Sequence, residues 1–187
     1  GSEMCIRDRN PAENLSPVGE CTGISRLNIQ GMNLEDIDFL KNLKLDYLDM
    51  SNAEVKSNIF EPLAEMGKLD TLCMCDINES AAETLSQLSN LKALFMWGDT
   101  TELENLKPLK GMKELENLAF TTQISSLEGI EQFPSLNFLS VSFSLVKDLS
   151  PVTGAKNLQV IDISNADIKN FEPLFGHSGL TEVHCTE

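Results

Sequence analysis

Apolar residues recur along the chain in triplets whose members occupy the first, fourth and sixth positions of a repeating unit. Successive triplets begin 21 to 24 residues apart. Spacing this regular indicates tandem copies of one structural unit. The eight triplets are Ile24-Leu27-Ile29, Leu45-Leu48-Met50, Leu69-Leu72-Met74, Leu91-Leu94-Met96, Leu115-Leu118-Phe120, Leu136-Leu139-Val141, Leu158-Ile161-Ile163 and Leu180-Val183-Cys185.

Each triplet predicts a short strand, because the fourth and sixth residues then point to one side and the fifth to the other. Strands of consecutive units pair in parallel, so the chain must return behind the sheet. Several returns carry a proline-apolar-x-glycine motif, as in Pro108-Leu109-Lys110-Gly111 and Pro151-Val152-Thr153-Gly154. A unit of about 22 residues is too short for a full helix, so extended or 3₁₀ returns are expected. One helical return is predicted, capped by Ser80.

A period of 20 to 29 residues is typical of leucine-rich repeats. The sequence therefore predicts an α/β solenoid, a right-handed superhelix with a parallel concave β-sheet and short 3₁₀, extended or helical returns. We assign residues 23–187 to this domain, as seven full repeats and a truncated eighth. No unit buries its apolar side alone, so the array is stable only through stacking.

The first 22 residues carry a different prediction. Residues 1–8, Gly-Ser-Glu-Met-Cys-Ile-Arg-Asp, can be back-translated without mismatch to a transposase adapter used in DNA sequencing. We therefore expect residues 1–9 to be a translated adapter, and residues 10–22 to be the remnant of an N-terminal leader or cap. An adapter at this point implies that any targeting signal of the gene has been lost from the sequence.

Charge narrows the range of partners. Acidic residues outnumber basic ones by 29 to 14, which gives a formal charge of −15 and a pI near 4.4. Such a surface repels the phosphate backbone of nucleic acids and anionic lipid headgroups. Apolar runs of four or five residues are too short to span a bilayer. The sequence thus predicts neither a nucleic-acid partner nor membrane insertion in this stretch.

The repeats resemble those of the bacterial internalin-type leucine-rich-repeat proteins. The segment 157–168 followed by Pro173-Leu174 carries the resemblance most fully. The resemblance implies a concave face that binds partner proteins and a cell-surface or secreted location. One feature departs from the family, whose inward asparagine three places after the sixth position is missing. The corresponding residues here are Met32, Ala53, Ile77, Asp99, Gln123, Ser144 and Ala166.

The outward positions of the strands are the candidate partner site. The single tyrosine and the single tryptophan of the chain both fall there, together with two phenylalanines spread over about 25 Å of sheet. Exposed aromatic side chains are enriched at protein interfaces. The alternative is that these side chains cover one another, with Phe95 packed on Trp97. The predicted partner-binding residues are Tyr47, Asp49, Phe95, Trp97, Asn117, Phe138, Ser140, Val160 and Asp162.

Residues that could perform catalysis are sparse. The only histidines are His177 and His184, near the C-terminus, and no glycine-rich phosphate loop occurs. Cys73 and Cys75 would need further ligands nearby to hold a metal ion. We predict a non-catalytic protein-recognition module without metal or cofactor. The alternative is a structural spacer or scaffold segment of a larger surface protein. An enzyme would require Cys73, Cys75 and carboxylates to converge.

Overall fold

The computed structural model describes residues 2–5, 14–57, 60–75, 77–98, 103–121 and 123–186. Eleven strands, three short α-helices and five 3₁₀ turns are assigned to them. The strands, in chain order, are β1 (Ser2–Cys5), β2 (Ile24–Asn28), β3 (Asn33–Leu34), β4 (Tyr47–Asp49), β5 (Glu54–Val55), β6 (Thr71–Met74), β7 (Ala93–Met96), β8 (Asn117–Phe120), β9 (Phe138–Ser140), β10 (Val160–Asp162) and β11 (Glu182–His184). The helices are α1 (Glu61–Ala64), α2 (Glu79–Leu85) and α3 (Glu172–Phe175), and the 3₁₀ turns are Ser16–Glu20, Asp38–Asn42, Lys107–Leu109, Ile130–Gln132 and Ser150–Gly154.

Nine strands form one parallel sheet in the order β1-β2-β4-β6-β7-β8-β9-β10-β11. Each strand is the neighbour of the strand one repeat away, so the chain advances by one strand per unit. The register places the fourth position of each repeat beside that of the next, as for Leu72 and Leu94. β3 and β5 form a second, two-stranded sheet beside the main one. The predicted leucine-rich-repeat solenoid is confirmed.

The core lies between the main sheet and the returns. The fourth-position residues of seven consecutive repeats are fully buried, and apolar residues of the returns close the core from behind. Truncating one such leucine to alanine costs about 2–5 kcal/mol. The seven strand residues are Leu27, Leu48, Leu72, Leu94, Leu118, Leu139 and Ile161.

The returns are short, as the repeat length predicts. Five of them carry a proline in their first turn, where its fixed φ favours the conformation and its missing N–H costs no hydrogen bond. α2 is the longest helix, but its predicted cap was wrong. The helix begins at Glu79, and Asn78, in extended backbone, accepts a hydrogen bond from the N–H of Ala81 at 2.8 Å. Ser80 already lies inside the helix.

The structure also describes a strand and a 3₁₀ turn before residue 23, and the domain boundary at that residue stays a prediction. Ser16–Glu20 forms a return like Ser150–Gly154, with Leu15 and Val18 buried against the first repeat. β1 pairs in parallel with β2, in the place of a preceding strand. The adapter origin of residues 1–9 stays a prediction, and residues 1 and 6–9 lie outside the described part of the chain.

Apolar side chains occupy some of the inward positions at which the resembled family has asparagine. Met32 and Ile77 are both buried, and the Ser144 hydroxyl accepts a hydrogen bond from the Val146 N–H at 3.3 Å. Asp99 lies outside the described residues. Among the helices that are described, none has both the length and the apolar character needed to cross a bilayer.

Candidate functional site

The outer face of the main sheet, here called the concave face, presents three parallel rows of side chains. The third positions of the repeats form one row, in which Tyr47 and Thr71 are paired, as are Asn117 and Phe138. The fifth positions form the next row, which includes the pairs Asp49–Cys73 and Phe95–Ala119. A residue of either row therefore has neighbours about one repeat away in sequence and about 4.8 Å away in space. The seventh positions, Trp97 among them, form the third row, and every predicted partner-binding residue lies in one of the three rows.

Phe95 and Trp97 form the aromatic centre of the concave face. Their rings are stacked with centroids 6.0 Å apart and planes 2° from parallel. The packing of these two rings, which the sequence left open as an alternative, is therefore present. Trp97 nevertheless keeps 37 % of its surface exposed. Ala119, the fifth-position residue of the next repeat, is small and buried. One side of the Phe95 ring is therefore not covered by a large side chain of that repeat.

A second aromatic contact lies near the N-terminal end of the face. The Arg26 guanidinium sits 4.0 Å from the centroid of the Tyr47 ring, which is a cation–π geometry. The Tyr47 hydroxyl lies 3.9 Å from the Cys73 Sγ. Burial, with the nearby Cys73 and Asp49, raises the pKa of Tyr47 to about 12, and burial beside Asp49 raises the pKa of Cys73 to about 11. Both groups are neutral at neutral pH.

Asp162 lies in a small hydrogen-bonded cluster toward the other end of the face. Its Oδ2 accepts hydrogen bonds from the hydroxyls of Ser142 at 2.7 Å and Ser140 at 3.2 Å. Its Oδ1 accepts one from the N–H of Ser164 at 3.0 Å. Burial by itself would raise the pKa of Asp162, but these hydrogen bonds outweigh it and hold the pKa below its usual value. The carboxylate is thus charged and fixed in orientation.

The side chain of Asp49 is also held in place by hydrogen bonds. Its Oδ1 accepts a hydrogen bond from the Ser51 N–H at 3.0 Å, and its Oδ2 accepts one from the Asn28 side chain at 3.3 Å. An ionised carboxylate offers about four lone-pair sites. Asp49 and Asp162 therefore keep one or two acceptor sites each toward solvent.

The concave face is more covered than the sequence suggested. Tyr47, Phe95, Asn117, Phe138 and Val160 are half-buried. Ser140 is only 8 % exposed and is bonded to Asp162, so it contributes to the face through that carboxylate. Closely spaced strands explain this coverage, because each side chain shields those of both neighbours. Other outward positions are buried for the same reason, namely Ser51, Cys73, Ala93, Ala119 and Ser142.

The described cysteines and histidines make contacts with neighbouring groups of the chain. Within the described ranges, no three side chains of His, Cys, Asp and Glu are grouped so that they could hold a metal ion. Cys75 accepts a hydrogen bond from the Asn52 N–H at 2.8 Å, and the His184 Nε2 lies 2.9 Å from the Glu182 carboxylate. The His177 Nε2 lies 2.8 Å from the Ala155 carbonyl oxygen, which is a structural contact.

Solved structures with the same architecture identify the fold. Internalin C2 of Listeria monocytogenes superimposes with a TM-score of 0.75 at 22 % identity, over 95 % of this chain and 78 % of that protein. The internalin InlF of the same organism gives 0.71 at 22 % identity, over 94 % and 58 %. The chain has an internalin-type leucine-rich-repeat fold. A leucine-rich-repeat protein of Leptospira interrogans gives 0.59 at 16 % identity, over 92 % of this chain and 51 % of that one. No protein-family model matches the sequence.

Two features of this internalin-type face were missed in the sequence. One is the contact of Arg26 with Tyr47, although both occupy the third position of consecutive repeats and are 21 residues apart. The other is Ser142, the nearest hydrogen-bond donor to Asp162. Repeat alignment could have signalled the first. The second depends on side-chain directions that only the folded chain shows.

Proposed function

We propose that this solenoid is a non-catalytic recognition module that binds a partner protein through its concave face. Leucine-rich-repeat solenoids use extended concave surfaces for binding in general. The observation that carries the proposal is the stacked Phe95–Trp97 pair, which remains partly exposed beside the small residue Ala119. A rigid aromatic pair beside a small residue leaves space in which an apolar side chain of the partner can pack.

Two carboxylates of the concave face would make the polar contacts with the partner. Asp49 and Asp162 flank the aromatic centre in the fifth-position row, and both carboxylates are fixed by internal hydrogen bonds. Orienting them costs little when a partner binds, because their side chains are already ordered. Their remaining acceptor sites, in a chain of charge −15, favour basic groups on the partner. Tyr47, Asn117, Phe138 and Val160 would supply the surrounding contacts, and Ser140 would orient Asp162.

A structural spacer is the second candidate. The observation that favours it is that much of the concave face is covered by its own side chains, including Cys73 and Ala119. In that case the aromatic pair stabilises the sheet and contacts no partner. Because the chain spans 58 % of InlF, the activity of a longer protein could also lie in other domains.

A displayed library of random dodecapeptides separates the two candidates. Peptides enriched on the wild-type chain should bind the Trp97→Ala/Phe138→Ala variant more than tenfold more weakly, because truncating two anchor side chains costs about 2 kcal/mol or more. The matched control is Phe171→Ala/Phe175→Ala, which also removes two aromatic rings. Phe171 is 38 % exposed, close to the 37 % of Trp97.

Unchanged affinity in the concave variant, with the circular dichroism of the wild type, would overturn the recognition role. Failure to enrich any peptide on the wild type would overturn it as well and favour the spacer. Equal losses in the concave and control variants would show that the peptides bind exposed aromatic residues in general, which also contradicts the proposal.

A further inference from the structure

The segment that follows β9 presents a strip of side chains beside the concave face. Burial alternates along it, because Phe143, Leu145 and Lys147 are exposed whereas Ser144 and Val146 are buried. These exposed side chains leave a turn and bend of the chain on its solvent side. We call Phe143, Leu145 and Lys147 the rim of repeat six. It starts next to Ser142 and therefore continues the concave face at one edge.

Phe143 adopts a backbone conformation that its residue type disfavours. Its φ is +60°, in the left-handed region. The same place in other repeats is taken by Gly31, Asn52 and Asn165, with φ of +71°, +56° and +56°. Glycine and asparagine tolerate this region, whereas a bulky residue there is a real outlier. The turn is held by the hydrogen bond from the Phe143 N–H to the Ser164 carbonyl at 3.2 Å.

The strained residue gains little packing in return. Phe143 is 66 % exposed, so most of its ring faces solvent. Strained backbone that gives no stability in exchange points to a functional contact. The repeats provide an internal comparison, because glycine or asparagine has this conformation in three other repeats and a disfavoured apolar residue has it in repeat six.

Leu145 departs in the same direction from the residues of the three repeats compared above. Two places further along the repeat, Asn33, Glu54 and Asp167 occupy the position that Leu145 takes in repeat six. Leu145 is 48 % exposed. Phe143 and Leu145 therefore make an apolar pair on an edge that is polar in repeats one, two and seven.

The charges beside the pair indicate the chemistry of what covers it. Lys147 and Lys169 both approach the Asp167 carboxylate at 3.8 Å, so two cations share one anion. The nearby Asp148 carboxylate has another partner, because it accepts a hydrogen bond from the Ser150 N–H at 2.8 Å. Both lysines are more than two-thirds exposed. Two lysines that share a single carboxylate can each accommodate a further anion, which favours a carboxylate on the partner.

We propose that the rim of repeat six is a second contact for the partner protein, and that it takes a segment carrying an apolar side chain next to a carboxylate. The apolar side chain lies on Phe143 and Leu145, and the carboxylate faces Lys147 and Lys169. This inference rests on the proposed recognition function and extends the same interface across the edge of the sheet. It assigns Phe143 a role in specificity that explains its strained backbone.

The test combines binding with stability in the Phe143→Asn/Leu145→Asn variant, using peptides enriched on the wild-type chain from the dodecapeptide library. Binding of peptides that contain Asp or Glu beside an apolar residue should fall at least tenfold. The melting temperature should rise, because asparagine already occupies this conformation at 52 and 165. A lower melting temperature would show that Phe143 serves stability, which overturns the inference. Phe175→Asn, at an 83 % exposed phenylalanine, is the control.

The outcomes separate this inference from the function on which it rests. Peptides that lose binding in Trp97→Ala/Phe138→Ala but keep it in the rim variant overturn the second contact alone. Peptides insensitive to both variants overturn both proposals. A Lys147→Gln/Lys169→Gln variant should weaken binding and reduce its dependence on salt, and an unchanged salt dependence would contradict the predicted carboxylate.

Discussion

Replacing Gly111 by alanine is expected to destabilise the solenoid strongly, whereas the same change at Gly176 should be almost neutral. Both glycines end a proline-leucine-x-glycine motif, so sequence alone treats them as equivalent. In the structure, Gly111 has φ +102°, and a Cβ there would overlap the carbonyl oxygen of Ser86 in the preceding repeat. Gly176 has φ −102°, and a Cβ there meets no atom within 4 Å.

The magnitude follows from two costs at Gly111. Alanine in the left-handed region costs about 1–2 kcal/mol. Relieving an overlap with backbone costs about 1–3 kcal/mol more. The reduced entropy of the unfolded chain offsets about 0.4–1 kcal/mol. We therefore expect Gly111→Ala to lower the free energy of unfolding by about 2–4 kcal/mol, and Gly154→Ala, whose Cβ would lie 3.0 Å from the Glu131 Cβ, to lower it less.

Urea unfolding of the three variants measures these differences. The single tryptophan, Trp97, reports by fluorescence on the repeat that contains Gly111, and far-UV circular dichroism reports on all repeats. Coincident transitions are required, since repeat arrays do not always unfold in two states. The urea midpoint of Gly111→Ala should fall by about 1–2 M. A free energy of unfolding for Gly111→Ala within about 0.5 kcal/mol of wild type, or equal effects at Gly111 and Gly176, would refute the close stacking of the returns.

Two further predictions concern titrating groups of the concave face. Because the pKa of Asp162 is held below its ordinary value of 3.8, its charge stabilises the fold fully above that value, and this stabilisation is lost as the pH falls through the lowered pKa. Unfolding curves should therefore show wild type and Asp162→Asn converging below about pH 4, and a constant difference would contradict the hydrogen-bonded cluster. Burial raises the pKa of Cys73 to about 11, so iodoacetamide should alkylate it much more slowly than the exposed Cys185 at pH 8. Peptide mass spectrometry measures both rates, and equal rates would show that Cys73 is accessible.

Much of the fold could be predicted from local sequence. The triplet spacing located the strands, and the prolines located the returns, because inward and outward directions alternate within a few residues. The cap of α2 was assigned to Ser80 because a serine with a glutamate three places later also has the capping pattern. The backbone conformation chose Asn78 instead.

The candidate site was predicted in place but not in detail. Tyr47, Phe95, Trp97 and Phe138 do lie on the outward face. How far each is covered depends partly on side chains about 22 residues away, as the hydrogen bond of the buried Ser140 to Asp162 shows. Their role in partner binding stays a prediction.

The sequence by itself determined the repeat period, the parallel sheet and the side of each strand that forms the core, because these follow from the spacing of apolar residues along the chain. The tertiary structure decided which outward residues stay accessible, which carboxylates are already hydrogen-bonded and which glycines have no room for a Cβ. It also revealed the strained Phe143, because a φ angle and its exposure depend on how one repeat stacks on the next. Contacts across the stack join residues one repeat apart, and no local pattern in the chain records them.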